Sequence, residues 1–252
     1  MSVDQALLET ANQTGLTTLR FYQWDEPTLS LGYFQNHKDR VLHQPSLKCP
    51  LVRRRTGGGA ILHDRELTYS ICVPSANRWS TKNVQLYEAI HQIIIEYLSE
   101  LGVHATLYRD LENIPAQQRE TQNLESNGSD AVSKRPNVDQ NAFMCFRRRS
   151  PGDVVLKGYK VVGSAQRRVK SALLQHGTIM LERSRYSPEL PGIEELAGVL
   201  PCVTKTVKKL SASVENRLRT ELNVGKLSQF EIETAKQVYS SQFDNRQWTA
   251  RR

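Results

Sequence analysis

The sequence predicts an α+β protein in which helices pack on a mixed β-sheet. A short stretch with apolar residues at helical spacing opens the chain, and two more follow residue 200. Between them, runs of threonine, aromatic and aliphatic residues lie on either side of one long amphipathic segment. The order helix, strands, long helix, strands, helices is typical of a sheet that has its helices on one side.

The first predicted helix covers residues 3–13, with Ser2 as its N-cap. The second covers residues 82–101, where apolar residues recur at helical spacing and predict a buried face. Gly102 follows as a natural stop, because glycine readily adopts the left-handed conformation at the end of a helix.

Several runs have the composition of β-strands. Threonine, aromatic and β-branched residues dominate them, and charged or glycine-containing turns separate them. We predict strands within residues 17–24, 28–34, 51–55, 60–73, 154–165 and 173–181. Asp25, Glu26 and Pro27 break the first from the second, and a glycine turn separates the third from the fourth.

The remaining segments set the domain organisation. Residues 111–140 are rich in polar and charged residues with little to bury, so we expect an exposed polar loop insertion. Amphipathic stretches at 205–221 and 228–243 predict a helical part over residues 203–252. The length fits one large domain, and we assign residues 1–252 to it.

Composition and charge indicate where the protein is found in the cell and which kinds of partner it binds. Hydrophobic residues make up 38% of the chain and charged residues 24%, as in ordinary soluble globular proteins. No apolar run approaches the roughly 18 residues of a membrane span, and the N-terminus lacks a secretory pattern, so we expect a cytoplasmic protein. A formal net charge of +8 favours an acidic partner: nucleic acid, an anionic membrane or an acidic protein.

Among the four cysteines, Cys145 has the neighbours of a reactive thiol. The cysteines form no CxxC pair, and a long intracellular chain is a poor candidate for a disulfide framework. The arginines at 147–149 would favour the thiolate, which is the form that attacks a thioester. Against this, no histidine lies nearby in sequence, and a free cysteine is ordinarily a small buried hydrophobe.

A glycine triplet lies within residues 53–64, RRRTGGGAILHD. Gly57, Gly58 and Gly59 permit backbone angles and close approaches that a Cβ would block. Exposed amides beside the arginines would bind a carboxylate, a phosphate or a carbonyl oxygen. The alternative is a flexible hairpin with a solvated basic edge.

Two further segments, residues 157–168 and the strand that contains His176, carry candidate groups. A hairpin turn at Lys157 and Gly158 would place Lys160 at the start of a buried strand, and the small residues after it would let a ligand chain lie against the backbone. Alone, Lys160 would be an ordinary surface lysine. His176 would be an acid/base group or a hydrogen-bonded structural group.

In this order, the segments resemble the lipoate-protein ligase and octanoyltransferase superfamily, which shares its fold with the biotin protein ligases. The resemblance covers nearly the whole chain. It includes DQALLE in the first helix, TLRFYQWDEPTLSLGYFQ, RRRTGGGAILHD, KGYKVVGSAQRR and LLQHGTIML. It implies a class II aminoacyl-tRNA synthetase/biotin-protein ligase-like fold and a single catalytic domain.

Within the superfamily, the sequence is more similar to the LipM-type octanoyltransferases than to the ligases. This resemblance implies a thioester acyl-enzyme on Cys145, and a contact from Lys160 to the acyl carbonyl, where a fixed cation would stabilise the developing charge. It also implies a tunnel for the aliphatic chain, in which the histidines support the site. The expected substrate-binding residues are Arg54, Thr56, Gly57, Gly58, Gly59, Ala60, His63, Gly163, Ser164, Ala165, Gln166 and His176.

The implied reaction moves an octanoyl group from an acidic acyl carrier protein to a lysine of a lipoyl domain or of glycine-cleavage H protein. It needs no metal or nucleotide, and neither nucleic acid nor a membrane is an expected partner. Gln166 and Gln175 are typical of the transferase branch, and the sequence ends without the additional domain of many ligases. Gly59 points towards the ligases, and the polar insertion and basic run around Cys145 depart from the usual pattern.

Four alternatives stay open. A lipoate ligase would use the same fold with ATP and Mg to activate free lipoate. A lipoyl or octanoyl amidotransferase would use the same cysteine but take its acyl group from a protein lysine. A biotin ligase is disfavoured by its different loop signature, and a nucleic-acid-binding role is supported by charge alone.

Overall fold

The computed structural model describes residues 1–109, 139 and 141–252, which form two β-sheets and their covering helices. The predicted insertion at 111–140 lies outside the described residues except for Asp139. The strands are β1 (Thr18–Tyr22), β2 (Thr28–Leu31), β3 (Leu51–Arg53), β4 (Ile61–His63), β5 (Glu66–Val73), β6 (Thr106–Leu107), β7 (Val154–Leu156), β8 (Tyr159–Val169) and β9 (Ala172–Met180). The helices are α1 (Ser2–Thr14), α2 (Asn83–Glu100), α3 (Ile193–Ala197), α4 (Val203–Leu218), α5 (Gln229–Val238) and α6 (Arg246–Thr249). The predicted α+β class is confirmed.

The larger sheet has six strands in the order β1-β5-β9-β8-β7-β6, and each adjacent pair is antiparallel. The predicted hairpin turn joins β7 to β8, with a φ of 48° at Lys157 and 81° at Gly158. Two successive positive φ angles match the right-handed twist of the flanking strands. As predicted, the turn places Lys160 at the buried start of β8.

The smaller sheet has the order β3-β2-β4 and is the mixed one, since β2 is parallel to β3 and antiparallel to β4. The prediction of one mixed sheet is therefore corrected to two sheets. The run 60–73 contributes a strand to each sheet because the chain bends at Asp64 and Arg65. The Asp64 carboxylate accepts a hydrogen bond from the Ser184 hydroxyl, and the Arg65 carbonyl accepts one from the Leu181 amide.

Helices cover both faces of the larger sheet, so the prediction of helices on one side is wrong. On one face, Ile90 of α2 belongs to the same buried cluster as Ile71 of β5. On the other face, Leu7 of α1 packs with Cys72 of β5 and Leu174 of β9. Ile71 and Cys72 are adjacent, and successive side chains of a strand point to opposite faces. Burial of each large aliphatic side chain contributes about 1.5–3 kcal/mol.

The helix ends follow local chemistry. α1 begins at Ser2, so Met1 and not the predicted Ser2 occupies the N-cap position. After α2, Gly102 has a φ of 75°, as expected of a helix stop. The predicted C-terminal helical part contains α4, α5, a π-helical turn at Tyr239–Phe243, and α6. Within the described ranges, no helix combines the length and apolar character that crossing a membrane requires.

Candidate active site

A cavity of about 280 Å³ lies between the larger sheet and the glycine segment that joins β3 to β4. Enclosed pockets with a few convergent polar groups are the usual sites for small molecules. The structure brings most of the predicted site residues together around it. Those lining the cavity are Arg54, Gly57, Gly58, His63, Cys145, Lys160, Gly163, Ser164, Ala165, Gln166 and His176.

The floor of the cavity is a row of residues across four strands of the larger sheet. Gly163 of β8 pairs with Thr178 of β9, and Thr178 pairs with Thr68 of β5. Thr68 pairs in turn with Tyr22 of β1. All four residues line the cavity. Since neighbouring strands are about 4.8 Å apart, the row extends for about 14 Å.

The glycine segment forms a wall of the cavity, and Arg54 holds it in place. The buried Arg54 guanidinium donates to the Ser30 carbonyl at 2.7 Å, the Gly59 carbonyl at 2.8 Å and the Gly57 carbonyl at 3.3 Å. Burial lowers the pKa of Arg54 to about 10. Gly58 has a φ of 92°, a conformation that favours glycine. The segment is therefore anchored from behind, unlike a flexible hairpin.

Close backbone packing brings Cys145 to this wall. Ala60 donates its amide to the Phe143 carbonyl at 2.8 Å and accepts from the Cys145 amide at 2.7 Å. A Cβ at Gly59 would lie 2.8 Å from the Cys145 nitrogen and 2.9 Å from its Cα, so glycine is required there. A Cβ at Gly58 would lie 3.8 Å from the Cys145 Sγ. The thiol is therefore next to the glycine segment.

Lys160 is the cation beside the thiol. Its Nζ lies 3.8 Å from the Cys145 Sγ and 2.7 Å from the Asp153 Oδ2. The Lys160 and Asp153 side chains are only 5% and 1% exposed. A Cβ at Gly163 would lie 2.3 Å from the Lys160 Cε, so this glycine leaves the space through which the lysine reaches the cavity.

Asp153 also lines the cavity, and sequence reasoning missed it. Its Oδ1 accepts from the Tyr87 hydroxyl at 2.9 Å, and its Oδ2 accepts from the Ser150 amide at 2.8 Å as well as from Lys160. Burial, followed by the charge of Asp153, raises the pKa of Tyr87. The signal was present in the predicted hairpin, which pairs Val155 with Lys160 and so brings Asp153 close to the lysine.

Two of the three arginines after Cys145 donate hydrogen bonds to backbone carbonyls. The Arg148 guanidinium donates to the Ala142 carbonyl at 2.6 Å. The Arg149 guanidinium donates to the carbonyls of Phe146 and Gly158, both at 2.8 Å. These contacts fix the turn that carries Cys145. The cation in contact with the sulfur is the Lys160 ammonium. An effect of the arginine run on the thiolate stays a prediction.

The two predicted histidines are hydrogen-bonded within the site. The His63 Nε2 lies 2.8 Å from the Ser30 Oγ, and its Nδ1 lies 2.7 Å from the Glu66 Oε1. The His176 Nε2 lies 2.8 Å from the Thr56 Oγ1, and burial lowers the pKa of His176 to about 4. Both rings therefore have protein partners, and Thr56 contributes to the site by orienting His176.

A third histidine, which sequence reasoning missed, lies behind the cavity. His91 of α2 is fully buried, with its Nδ1 2.6 Å from the Gly152 carbonyl and its Nε2 2.6 Å from the Ser164 Oγ. The Ser164 Oγ also lies 2.5 Å from the Tyr69 hydroxyl, which accepts from Gln175. Burial lowers the pKa of His91 to about 4. The apolar stripe of α2 obscured this residue in the sequence.

The fold is that of the lipoate-protein ligases. Lipoate-protein ligase A bound with ATP matches 99% of this chain and 92% of its own, with a TM-score of 0.72 and 18% identity. A bi-partite lipoate protein ligase from Thermoplasma acidophilum matches 99% of this chain and 89% of its own, with a TM-score of 0.68 and 17% identity. At these identities, the likeness shows the fold alone.

The chain belongs to the lipoyl protein ligase A/B catalytic domain family, whose model matches residues 1–244. The octanoyltransferase LipM of Halalkalibacterium halodurans is 32% identical over 100% of this chain and 94% of its own. That of Bacillus subtilis is 30% identical over 100% of this chain and 93% of its own. The predicted family is confirmed, and the chain is an enzyme of the acyltransferase class.

Proposed function

We propose that this enzyme is an octanoyltransferase of lipoate biosynthesis that works in the cytoplasm. Cys145 carries the acyl group as a thioester, and Lys160 stabilises charge on the acyl oxygen. The donor is an acidic octanoylated acyl carrier protein, and the acceptor is a lysine of a lipoyl domain or of glycine-cleavage H protein. The observation that carries the proposal is the 3.8 Å contact between the Lys160 ammonium and the Cys145 sulfur at the cavity wall.

In the first step, the Cys145 thiolate attacks the acyl carbonyl of the donor thioester. The new carbon–sulfur bond forms, the bond to the carrier sulfur breaks, and the carrier thiolate takes a proton from solvent. Thioester exchange suits a thiolate because the attacking and leaving sulfurs are of similar stability. In this proposal the Lys160 ammonium, which pairs with Asp153, stabilises the charge that develops on the oxygen.

In the second step, the neutral amine of the acceptor lysine attacks the acyl-enzyme. A carbon–nitrogen bond forms, the nitrogen loses its extra proton to water, and the Cys145 thiolate leaves. The product is an amide-linked octanoyl lysine. The same lysine ammonium serves both steps, because the charge develops on the same oxygen.

The octanoyl chain lies along the row Gly163, Thr178, Thr68 and Tyr22 in this proposal. An extended eight-carbon chain is about 9 Å long, at about 1.3 Å per carbon–carbon bond. It fits within the row, which extends for about 14 Å. The glycine segment and the small residues Gly163 and Ala165 let the chain approach the backbone.

The test is to give the enzyme octanoyl carrier protein without acceptor and to measure its intact mass. We expect a single octanoyl adduct in the wild type and none in Cys145→Ala. Cys202→Ala is the matched control, because this exposed thiol lies away from the cavity; it should load like the wild type. If Cys145→Ala still formed the adduct, Cys145 would be ruled out as the nucleophile.

Supplying different acyl donors distinguishes this proposal from the ligase and amidotransferase reactions. ATP with free lipoate should give no acylated acceptor, whereas a ligase would give it. Octanoylated H protein as sole donor should load Cys145 poorly, whereas an amidotransferase would use it readily. No cofactor or metal is part of the proposal, and we expect activity in the presence of a chelator.

A further inference from the structure

An exposed aromatic and arginine-rich surface, which the proposed chemistry does not use, lies beside the glycine segment. We call it the platform and define it as Tyr33, Phe34, Trp248, Arg251 and Arg252. The Arg251 Cζ lies 4.2 Å from the centre of the Tyr33 ring and 4.9 Å from that of Trp248. The Arg252 Cζ lies 5.3 Å from the centre of the Phe34 ring, which is 67% exposed.

The platform is built on Arg53, whose side chain is fully buried. The Arg53 guanidinium donates to the Gly32 carbonyl at 3.0 Å and to the Thr249 carbonyl at 3.0 Å. The Trp248 indole donates to the Arg53 carbonyl at 3.0 Å. These bonds join the segment after β2 to α6, and cation–π contacts of this kind hold guanidinium groups on aromatic faces.

The platform carries positive charge with no acidic partner among residues 1–109, 139 and 141–252. No aspartate or glutamate side chain of these residues lies within 4.0 Å of a guanidinium nitrogen of Arg251 or Arg252. Burial, and then Arg251 and Arg252, lower the pKa of Arg53. The exposed guanidinium groups of Arg251 and Arg252, together with the exposed Phe34 ring, form a surface suited to an acidic protein partner.

The platform adjoins the reacting sulfur. The Phe34 ring lies 3.7 Å from where a Cβ on Gly57 would be, and Gly57 and Gly58 line the cavity. A Cβ on Gly58 would in turn lie 3.8 Å from the Cys145 Sγ. A protein seated on Phe34 would therefore rest against the outer side of the wall that holds the thiol.

We infer that the platform docks the acceptor domain through acidic side chains of that domain, an inference that rests on the proposed function. The acceptor amine is on a lysine side chain, which reaches about 6 Å from its Cα at about 1.3 Å per bond. The acceptor surface must therefore touch the rim of the cavity. Docking of the carrier protein on the same surface is the outcome that the experiment must exclude.

The experiment separates the two half-reactions in two variants, Arg251→Glu/Arg252→Glu and Phe34→Ala. Loading of Cys145 from octanoyl carrier protein is followed by intact mass. The loaded enzyme is then mixed with a lipoyl domain at subsaturating concentration, or with N-acetyl-lysine amide as a small amine. We expect transfer to the domain to fall about tenfold in the charge-reversal variant, since rim charges set the rate of association. Loading and transfer to the small amine should stay at the wild-type rate.

Matched controls are Lys205→Glu/Lys208→Glu, which reverses two exposed charges on α4, and Phe230→Ala, which removes an exposed ring on α5. Both should transfer to the domain like the wild type. Slower loading with unchanged transfer would place the carrier protein on the platform and overturn the inference, as would equal rates in all variants. If the wild type forms no acyl-enzyme, the proposed function fails instead. The platform is then judged by lipoyl-domain binding in titration calorimetry, which the charge reversal must weaken.

Discussion

At the scale of single residues, the site depends on glycines at positions where a Cβ would collide with a neighbouring residue. The turn that carries Cys145 packs directly on Gly59, where a Cβ would lie 2.8 Å from the Cys145 nitrogen. The third glycine of the triplet, which points towards the ligases in a sequence comparison, has a structural reason in this chain. It is compatible with the proposed transferase, because it lets the thiol approach the wall of the cavity.

Gly59→Ala tests this close approach. We expect a loss of unfolding free energy of about 1–3 kcal/mol, as for other overpacked sites, together with slower loading of Cys145. Urea unfolding and intact-mass kinetics measure the two effects. Gly225→Ala is the control, since a Cβ there would meet nothing nearer than 4.0 Å. Normal loading by Gly59→Ala would show that the thiol does not depend on this packing.

Lys160 and Asp153 form a buried ion pair, and each is needed to offset the charge of the other. Lys160→Met or Asp153→Asn alone should cost about 3–5 kcal/mol, because one buried charge is left without its partner. The double variant should be more stable than the sum of the two losses predicts. All three variants should load slowly. Additive losses of stability in urea unfolding would argue against coupling, and fast loading by the refolded double variant would remove Lys160 from the mechanism.

At the scale of elements, α2 holds a neutral histidine against the back of the cavity. The pKa of His91 is lowered to about 4 by burial, below the value of about 6.5 in an unfolded chain. Between these values the unfolded state binds a proton that the folded state does not. The free energy of unfolding therefore has its full value above about pH 6.5. It falls as the pH falls towards 4, by up to about 3 kcal/mol.

Urea unfolding at pH 7, 6 and 5 measures this loss. His176 has the same lowered pKa and acts in the same direction, so His91→Gln should remove only part of the pH dependence. His104→Gln, which changes an exposed histidine in the loop after α2, should leave the slope unchanged. If the free energy of unfolding of His91→Gln depended on pH as strongly as that of the wild type, the proton taken up on unfolding would not bind at His91.

Local signals in the sequence predicted individual elements better than they predicted how the strands are divided between sheets. The hairpin at Lys157 and Gly158 was identified from its turn residues, and it placed Lys160 correctly. The division of residues 60–73 between two sheets was not predictable, because each half has the composition of a strand. The bend is fixed by hydrogen bonds that Asp64 and Arg65 accept from Ser184 and Leu181, which are far away in the sequence.

At the scale of the whole molecule, the site exists because two sheets meet. The glycine segment belongs to the smaller sheet, Lys160 to the larger one, and Cys145 to a short turn against the smaller one. Motif order and family resemblance identified most of the cavity residues. Tyr87 and the buried His91 were not predicted because their roles depend on contacts between elements far apart in sequence. Asp153 was also missed, although the predicted hairpin brings it close to Lys160.

The central claim is that the sulfur of Cys145 carries the acyl chain. Its most direct test is to quench the loaded wild-type enzyme, digest it, locate the octanoyl group by peptide mass spectrometry, and chase a parallel sample with lipoyl domain. We predict a hydroxylamine-sensitive group on the peptide that contains Cys145, and its transfer to the domain lysine at the rate of turnover. A group on another residue, or one that stays on the enzyme while product accumulates, would contradict the account.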